Sequence, residues 1–421
     1  MTTLDDLHAA LGAKNRAPRR AWFVPGRIEV LGKHTDYAGG RSLLCAIDRG
    51  FRLVAAPRDD RIITMANPDQ ALDATLEMDP ALPPELGHWT AYPRAVARRL
   101  SRHFPSARHG ADIAFTSDLP VAAGISSSSA FIVSTFLALA AANNLERDDE
   151  FLHNIHSKED LAGFLGAVES GYTFGPFQGD TGVGIFGGSE DHTAILCCEP
   201  GRLAVYSFDP VRHERTIDLD PALLFVIGSS GIVAEKAGGA RDAYNRASVA
   251  TRRILELWNA AAGRADHTLA AAVTSGAGAP GRIRQVVRAR GGETREYLLG
   301  RFDQFVAESE EIVPAAADRL RAADYAGFGT LVDRSQALAE QLLGNQVPET
   351  IDLARSARAL GALAASAFGG GFGGSVWALV RATDAPAFID RWSAAYRRAH
   401  PQWVGRAVFF ATRPGSAALE L

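Results

Sequence analysis

The segment Gly26-Arg-Ile-Glu-Val-Leu-Gly-Lys-His-Thr-Asp-Tyr-Ala-Gly-Gly40 constrains the chain more than any other stretch of it. Alternating residues around Ile28 to Leu31 read as a strand. The chain then enters a loop whose glycines, Gly32, Gly39 and Gly40, allow sharp turns or the close approach of another group to the backbone. Arg27, Lys33, His34, Asp36 and Tyr37 are interleaved with these glycines. Few structural roles need so many charged and hydrogen-bonding groups on one strand and one loop, so the segment reads as a site for a polar ligand of sugar or phosphate type.

A chain of 421 residues fits two domains at the usual ~100–200 residues each. The division is expected near residue 210, where Asp209-Pro210 and a charged stretch precede a strand over Ala222 to Ile227, giving domains 1–210 and 211–421. The 47% hydrophobic and 22% charged content is that of an ordinary globular protein. With a net charge of −4 and no dense Lys/Arg block, no nucleic-acid partner is expected, and Arg282 to Arg290 suits a solvated helix face. No uninterrupted span of ~18 apolar residues occurs, so no membrane partner is expected. Met1 to His8 lacks a basic start and an apolar run, so a cytoplasmic protein is expected. The adjacent Cys197 and Cys198 cannot easily bridge to each other, and with Cys45 they do not make a disulfide framework.

Strands are expected at Ser42 to Ala56, Arg61 to Ala66 and Ala111 to Phe115. Helices are expected over Ala91 to Phe104, over Phe131 to Ala140 and from Glu150 to about Glu169. Phe131 to Ala140 is apolar nearly all round, as in a buried helix. Ser189 to Cys198 reads as a strand that makes a hairpin with Leu203 to Phe208 across Glu199-Pro-Gly-Arg202. The second half is mainly helical through Leu343, and it closes with a helix, the loop Gly369 to Gly374, a strand Val376 to Val380, a helix, and a strand Ala407 to Thr412.

Two further glycine-rich motifs stand out. Leu119-Pro-Val-Ala-Ala-Gly-Ile-Ser-Ser-Ser-Ser-Ala130 puts four serines at a helix start, where backbone N–H groups and the positive dipole end attract an anion. Serine is also merely a good N-cap, so the residues alone leave both readings open. Ser366-Ala-Phe-Gly-Gly-Gly-Phe-Gly-Gly-Ser375 runs into Val376 and satisfies the G-x-G-x-x-G-x-V pattern of protein kinases. Here, however, a helix precedes the loop, a strand follows it, and too few residues remain for a catalytic lobe. The same order is wrong for a dinucleotide fingerprint, and no Walker A Gly-Lys-Ser/Thr occurs.

Taken together, Gly26 to Gly40, Leu119 to Ala130 and Ser366 to Ser375 resemble the galactokinases of the GHMP small-molecule kinase family over most of the chain. The resemblance implies an α+β, two-domain GHMP kinase fold with the active site between domains: an N-terminal ribosomal-protein-S5-like domain and a C-terminal ferredoxin-like domain. It implies ATP and Mg²⁺ as cofactors and a small-molecule sugar as the other partner, in a monomer or weak homo-oligomer. The implied reaction phosphorylates the anomeric C1 hydroxyl of galactose or a close relative. By the same resemblance Asp191 and Arg27 are catalytic. Gly124, Ser126, Ser127, Ser128 and Gly371 bind ATP, and Ser128 with Glu169 holds the metal. Lys33, His34, Asp36, Gly188 and Tyr244 bind the sugar.

Three features depart from the galactokinase pattern. Lys33 stands where galactokinases carry a glutamate directed at the C6 hydroxyl. Glu190-Asp191-His192 replaces Met-Asp-Gln, and the connection from Glu169 to Asp191 is longer, with an apparent insertion at residues 172–186. An ammonium at position 33 would favour an acceptor or an anion at C6, so a C6-modified sugar such as galacturonate is an alternative substrate. A lysine that swings to solvent leaves ordinary galactose. Two further alternatives are a non-catalytic sugar and ATP sensor, and an enzyme acting on mevalonate or homoserine; the His34-Thr-Asp-Tyr37 run favours a sugar.

Overall fold

The structure, a computed structural model, describes residues 2–11, 17–120, 124–232 and 239–421. Its strands are β1 (Arg20–Leu31), β2 (Arg41–Pro57), β3 (Ile62–Asn67), β4 (Leu72–Glu77), β5 (Ala111–Ser117), β6 (Arg202–Ser207), β7 (Arg212–Asp218), β8 (Leu223–Ser229), β9 (Ala364–Phe368), β10 (Ser375–Arg381), β11 (Val408–Thr412) and β12 (Leu419–Glu420). The first sheet runs β12-β1-β2-β5-β3-β4, with β6 and β7 added beside β2. The length of β2 makes this possible. Its start, Arg41 to Leu44, pairs with β6, and its end, Phe51 to Pro57, pairs with β5. Only β3 and β5 are parallel, and the helix Ala91–His103 lies in the crossover between them.

The helix Ser127–Asn143 carries Phe131, Ile132, Val133, Phe136 and Leu139 at near-zero exposure. Being apolar all round, it belongs in the interior, and each such side chain contributes about 1.5–3 kcal/mol by leaving water. Phe131 stacks on Phe51 of β2 with ring centroids 5.5 Å apart, which seats the helix against the sheet and its serine-bearing start at the sheet's end.

The second sheet runs β11-β8-β10-β9, all antiparallel. Numbered within itself, this is the order 4-1-3-2 of a ferredoxin-like unit, with the helices Pro348–Ala359 and Ala385–Ala399 against it. Strand alternation splits its side chains between two cores. Leu224 and Val226 pack with Trp392 on the outer face, whereas Phe225, Ile227 and Trp377 join the core of the first sheet. The two sheets therefore share an interior, and the cavity described below opens beside it.

Two expectations need correction. Ser189 to Cys198 is not a strand: Glu190–Cys197 is an α-helix. A short apolar run does not distinguish the two states, and the carboxylates of Glu190 and Asp191 in the first turn suit the positive end of a helix. The hairpin is formed instead by β6 and β7. The division expected at residue 210 falls inside that hairpin. The chain leaves the first sheet only after Asp218 and enters the second at Leu223.

Candidate active site

The serine-bearing helix start, the loop after β1, the helix Glu190–Cys197 and the loop between β9 and β10 converge on one cavity of about 670 Å³. β1 delivers Arg27 to its centre. The guanidinium donates to Asp191 Oδ1 from Nε (2.7 Å) and lies 2.6 Å from it through Nη2, while Nη1 donates to the carbonyl of Gly124 at 2.7 Å. Arg27 thus ties Asp191 to the serine loop. Burial works against its charge, and Asp191, Glu190 and Glu29 outweigh that cost, so its proton is held more firmly than usual. The Asp191 side chain is 27% exposed, against 4% for Arg27, and so faces the cavity.

Ser129 joins the remaining groups. Its hydroxyl lies 2.7 Å from Glu169 Oε2 and 3.2 Å from Asp191 Oδ2. His192 Nε2 lies 3.1 Å from the same Glu169 oxygen. Ser126 adopts a left-handed conformation (φ 58°) immediately before the helix, and its buried hydroxyl has no hydrogen-bond partner. Ser127 and Ser128 line the cavity beside it. This is a helix N-terminus with a spare hydroxyl, suited to phosphate. Val121 to Ala123 of the same motif lie outside the described residues.

Asp36 and Gly188 meet across the cavity. Asp36 accepts from the backbone N–H of Glu190 (3.3 Å), and a side chain on residue 188 would put its Cβ 2.4 Å from Asp36 Oδ2, so only glycine fits there. Burial raises the Asp36 carboxyl to about 6, the charge of Asp191 adds to this, and N–H groups of Tyr37, Glu190 and Gly188 oppose it. His34 is held neutral: burial, with Arg301 and Lys33 adding, lowers it to about 3. Its Nε2 faces the carbonyl of Gly370 at 3.1 Å and Nδ1 faces the Tyr37 hydroxyl at 2.8 Å. A carbonyl only accepts, so Nε2 carries the proton and Nδ1 accepts from Tyr37. Tyr244 packs on the His34 ring at 4.8 Å between centroids. Gly371 (φ 79°) turns the glycine-rich loop against Asn345, whose carbonyl would lie 2.4 Å from a Cβ.

Of the residues expected in the site, all but Lys33 line this cavity. Lys33 is 1% exposed, and Nζ donates to Ser335 Oγ at 3.0 Å, away from the cavity lining. Both readings of that residue are corrected: it neither faces a ligand nor swings to solvent, because buried partners supplied by the second half of the chain capture the ammonium. Residues 172–186 are packed in place. Arg252 lies over the rings of Tyr172 and Phe186, and Asn245 bonds Phe186 N–H and Gly184 C=O.

Sequence reasoning missed Glu29, Glu190 and Ser129. Glu29 accepts from Gly369 N–H at 3.3 Å, and burial pushes its carboxyl up against the pull of Lys33 and Arg27. Glu190 accepts from Ser42 Oγ at 2.7 Å and is likewise raised by burial. The far end of the cavity, lined by Phe51, Trp89, Tyr92, Phe115 and Phe131, was also missed. These rings come from four separate elements and the loop before one of them, so no local spacing announces them. Among the described residues no group of three or more His, Cys, Asp or Glu could hold a metal, and no helix is long and apolar enough to cross a membrane.

Three family models match the chain. They are the galactokinase galactose-binding signature over residues 9–57, the GHMP kinases N terminal domain over 91–171 and the GHMP kinases C terminal over 316–398. The chain is 27% identical to the galactokinase of Chloroflexus aggregans over 395 residues, covering 90% of this chain and 89% of that protein. A shorter match, 34% identical over 31% of this chain and 34% of that protein, is to the galactokinase of Glaesserella parasuis. Its fold is that of Lactococcus lactis galactokinase, with a TM-score of 0.78 at 21% identity over 99% of both chains. It is more distantly that of L. major mevalonate kinase, with a TM-score of 0.56 at 15% identity over 96% of this chain and 99% of that one. The signature model spans the strand and loop that hold Arg27, His34 and Asp36, and the N-terminal model spans the serine helix and Glu169; with this geometry, the chain belongs to the GHMP kinase family, as one of its galactokinases.

Proposed function

We propose that the protein moves the γ-phosphoryl group of ATP to the C1 hydroxyl of galactose, giving the sugar 1-phosphate and ADP. The observation that carries this reading is the chain Arg27–Asp191–Ser129–Glu169, which joins the serine-lined helix start to the signature loop within one cavity. Asp191, paired with Arg27, orients the C1 hydroxyl and accepts its proton as the phosphoryl group departs from ATP. Arg27 balances the charge that builds up on the transferring group. Backbone N–H groups and hydroxyls at Ser126 to Ser128, with Gly124 and Gly371 behind them, receive the phosphates.

Mg²⁺ suits the donor set present. It takes one or two carboxylates plus phosphate oxygens rather than an all-protein cage, and Ser128 and Glu169 offer hard oxygen atoms beside the serine loop. When bound, the ion neutralises phosphate charge. His34, Asp36, Gly188 and Tyr244 bind the sugar. This reading is supported by the Lactococcus lactis relative, whose structure is a complex with galactose. The galacturonate alternative loses its motive, since Lys33 is held by Ser335. All three cysteines are free thiols, which suits the cytoplasm, and a monomer or weak homo-oligomer suffices because one chain supplies every group named. The test is a coupled ADP-release assay with galactose, glucose, N-acetylgalactosamine and galacturonate, with ³¹P NMR of the product. Galactose should give the highest kcat/KM and an anomeric phosphate; ADP release with none of them would overturn the reading.

A further inference from the structure

The loop Gly32 to Tyr37 is gripped by residues that no motif pointed to. His34 holds a left-handed backbone (φ 58°) without being glycine, a conformation that persists only where the surroundings over-determine it. The surroundings come from the helix Arg295–Val306 and the π-helical segment Ala307–Ile312 that continues it. Arg301, Gln304 and Glu308, spaced three and four residues apart, share one helix face, and each is fully buried.

Four backbone groups at the left-handed turn are held from this helix face. Glu308 Oε1 accepts from Gly32 N–H at 2.8 Å and from Lys33 N–H at 3.3 Å. Gln304 Nε2 donates to the Lys33 carbonyl at 3.1 Å. Arg301 Nη2 donates to the His34 carbonyl and to the Tyr37 hydroxyl, and Nη1 donates to Gln304. Lys33 Nζ completes the ring through Ser335 Oγ, which lies 2.9 Å from Glu308 Oε1. The neighbouring Ser309 holds the start of β2 beyond the loop, its hydroxyl accepting from Arg41 N–H at 3.1 Å. Such π segments concentrate at functional sites.

We infer that Arg301, Gln304 and Glu308, with Lys33 and Ser335, form a clamp that positions His34 and Asp36 for the sugar, and that sugar affinity is set as much by this helix face as by the residues lining the cavity. The inference rests on the reading that the loop Gly32 to Tyr37 binds the sugar. These are positioning residues, since none of them lines the cavity.

The test uses Gln304→Glu, which keeps its size and the acceptor for Arg301 but loses the N–H given to Lys33, and Arg301→Lys. For each, KM for galactose, KM for ATP and kcat are measured, along with amide hydrogen exchange of residues 30–38 in the sugar-free protein. The expected result is a galactose KM raised at least ten-fold, an ATP KM within two-fold of wild type, and exchange in the loop at least ten-fold faster. A galactose KM within two-fold of wild type, or equal rises in both KM values, would overturn the clamp. Should both variants fail to fold, Ser335→Ala, which removes only the hydroxyl between Lys33 and Glu308, should raise the galactose KM at least three-fold with Ser335→Thr restoring it. An unmoved KM there also overturns the clamp. If the wild type phosphorylates no galactose, the functional reading falls while loop exchange still decides the clamp: accelerated exchange supports it and unchanged exchange ends it.

Discussion

At the serine end of the cavity the ligand-facing groups are largely backbone, presented by one helix start and one glycine-rich loop. At the signature-loop end they are side chains, and what holds them lies 267 to 276 positions further along the chain. A backbone site is specified by the few residues that shape it, whereas a side-chain site depends on whatever packs behind it. The serine end should therefore respond to substitution locally, and the sugar end should respond to changes in a distant helix.

The largest effect should fall where the two ends meet. Asp191→Asn should lower kcat by about 10²–10⁴-fold with nucleotide binding retained, measured by steady-state turnover beside a fluorescent-nucleotide titration. Equal loss of nucleotide affinity would place Asp191 on ATP and blur the division.

Next is Lys33→Glu, which would place a third carboxylate beside the buried Glu29 and Glu308. Removing the cation from such a group costs about 3–5 kcal/mol, so urea unfolding should show a loss of that order, with no gain in preference for galacturonate. A stable variant that prefers the acidic sugar would return Lys33 to the pocket.

At the serine end, Ser126→Ala removes a hydroxyl that has no protein partner. A hydrogen bond to a charged group contributes about 1.5–3 kcal/mol, which corresponds to an increase of about ten- to a hundred-fold in KM for Mg·ATP. The galactose KM should not move. If it rises in parallel, the two ends are coupled through the serine loop.

The smallest effect concerns acidity. With its carboxyl raised to about 6, Asp36 is protonated below that pH and loses its capacity to accept from sugar hydroxyls. The kcat/KM for galactose should rise about ten-fold per pH unit up to about pH 6 and then level, and Asp36→Asn should abolish that limb. Stability runs the other way. A carboxyl raised on folding contributes stability below its unfolded value, near 3.8, which is lost as pH rises through about 6. Urea midpoints across that window, compared with Asp36→Asn, check the sign.

Much of this site was legible because its local chemistry is written in adjacent residues. Serines before an apolar helix fit an N-cap as well as an anion site, and the resemblance to the family favoured the second. The crowding of Arg27 to Tyr37 announces a ligand loop. Three matters were not legible. Ser189 to Cys198 carries no period that separates strand from helix, and the helix packs chiefly on the helix Lys158–Ser170 and also on β1 and β2. The hairpin of β6 and β7 extends past residue 210 because β2 is long enough to accept another neighbour. Lys33 looked like a ligand contact because it sits between groups that line the cavity, yet its direction is decided by Ser335.

The sequence by itself determined the class of chemistry and the two-domain α+β architecture, and it brought out Arg27 and Asp191 as the proposed catalytic pair, since each follows from motifs that keep their form. Only the tertiary structure decided which of two adjacent polar residues faces the cavity, His34 lining it while Lys33 turns away, and which buried helix face holds them. The reason is physical. A polar side chain withdrawn from water goes wherever its hydrogen bonds are satisfied, and for Lys33 those partners, Ser335 and through it Glu308, stand some three hundred residues away.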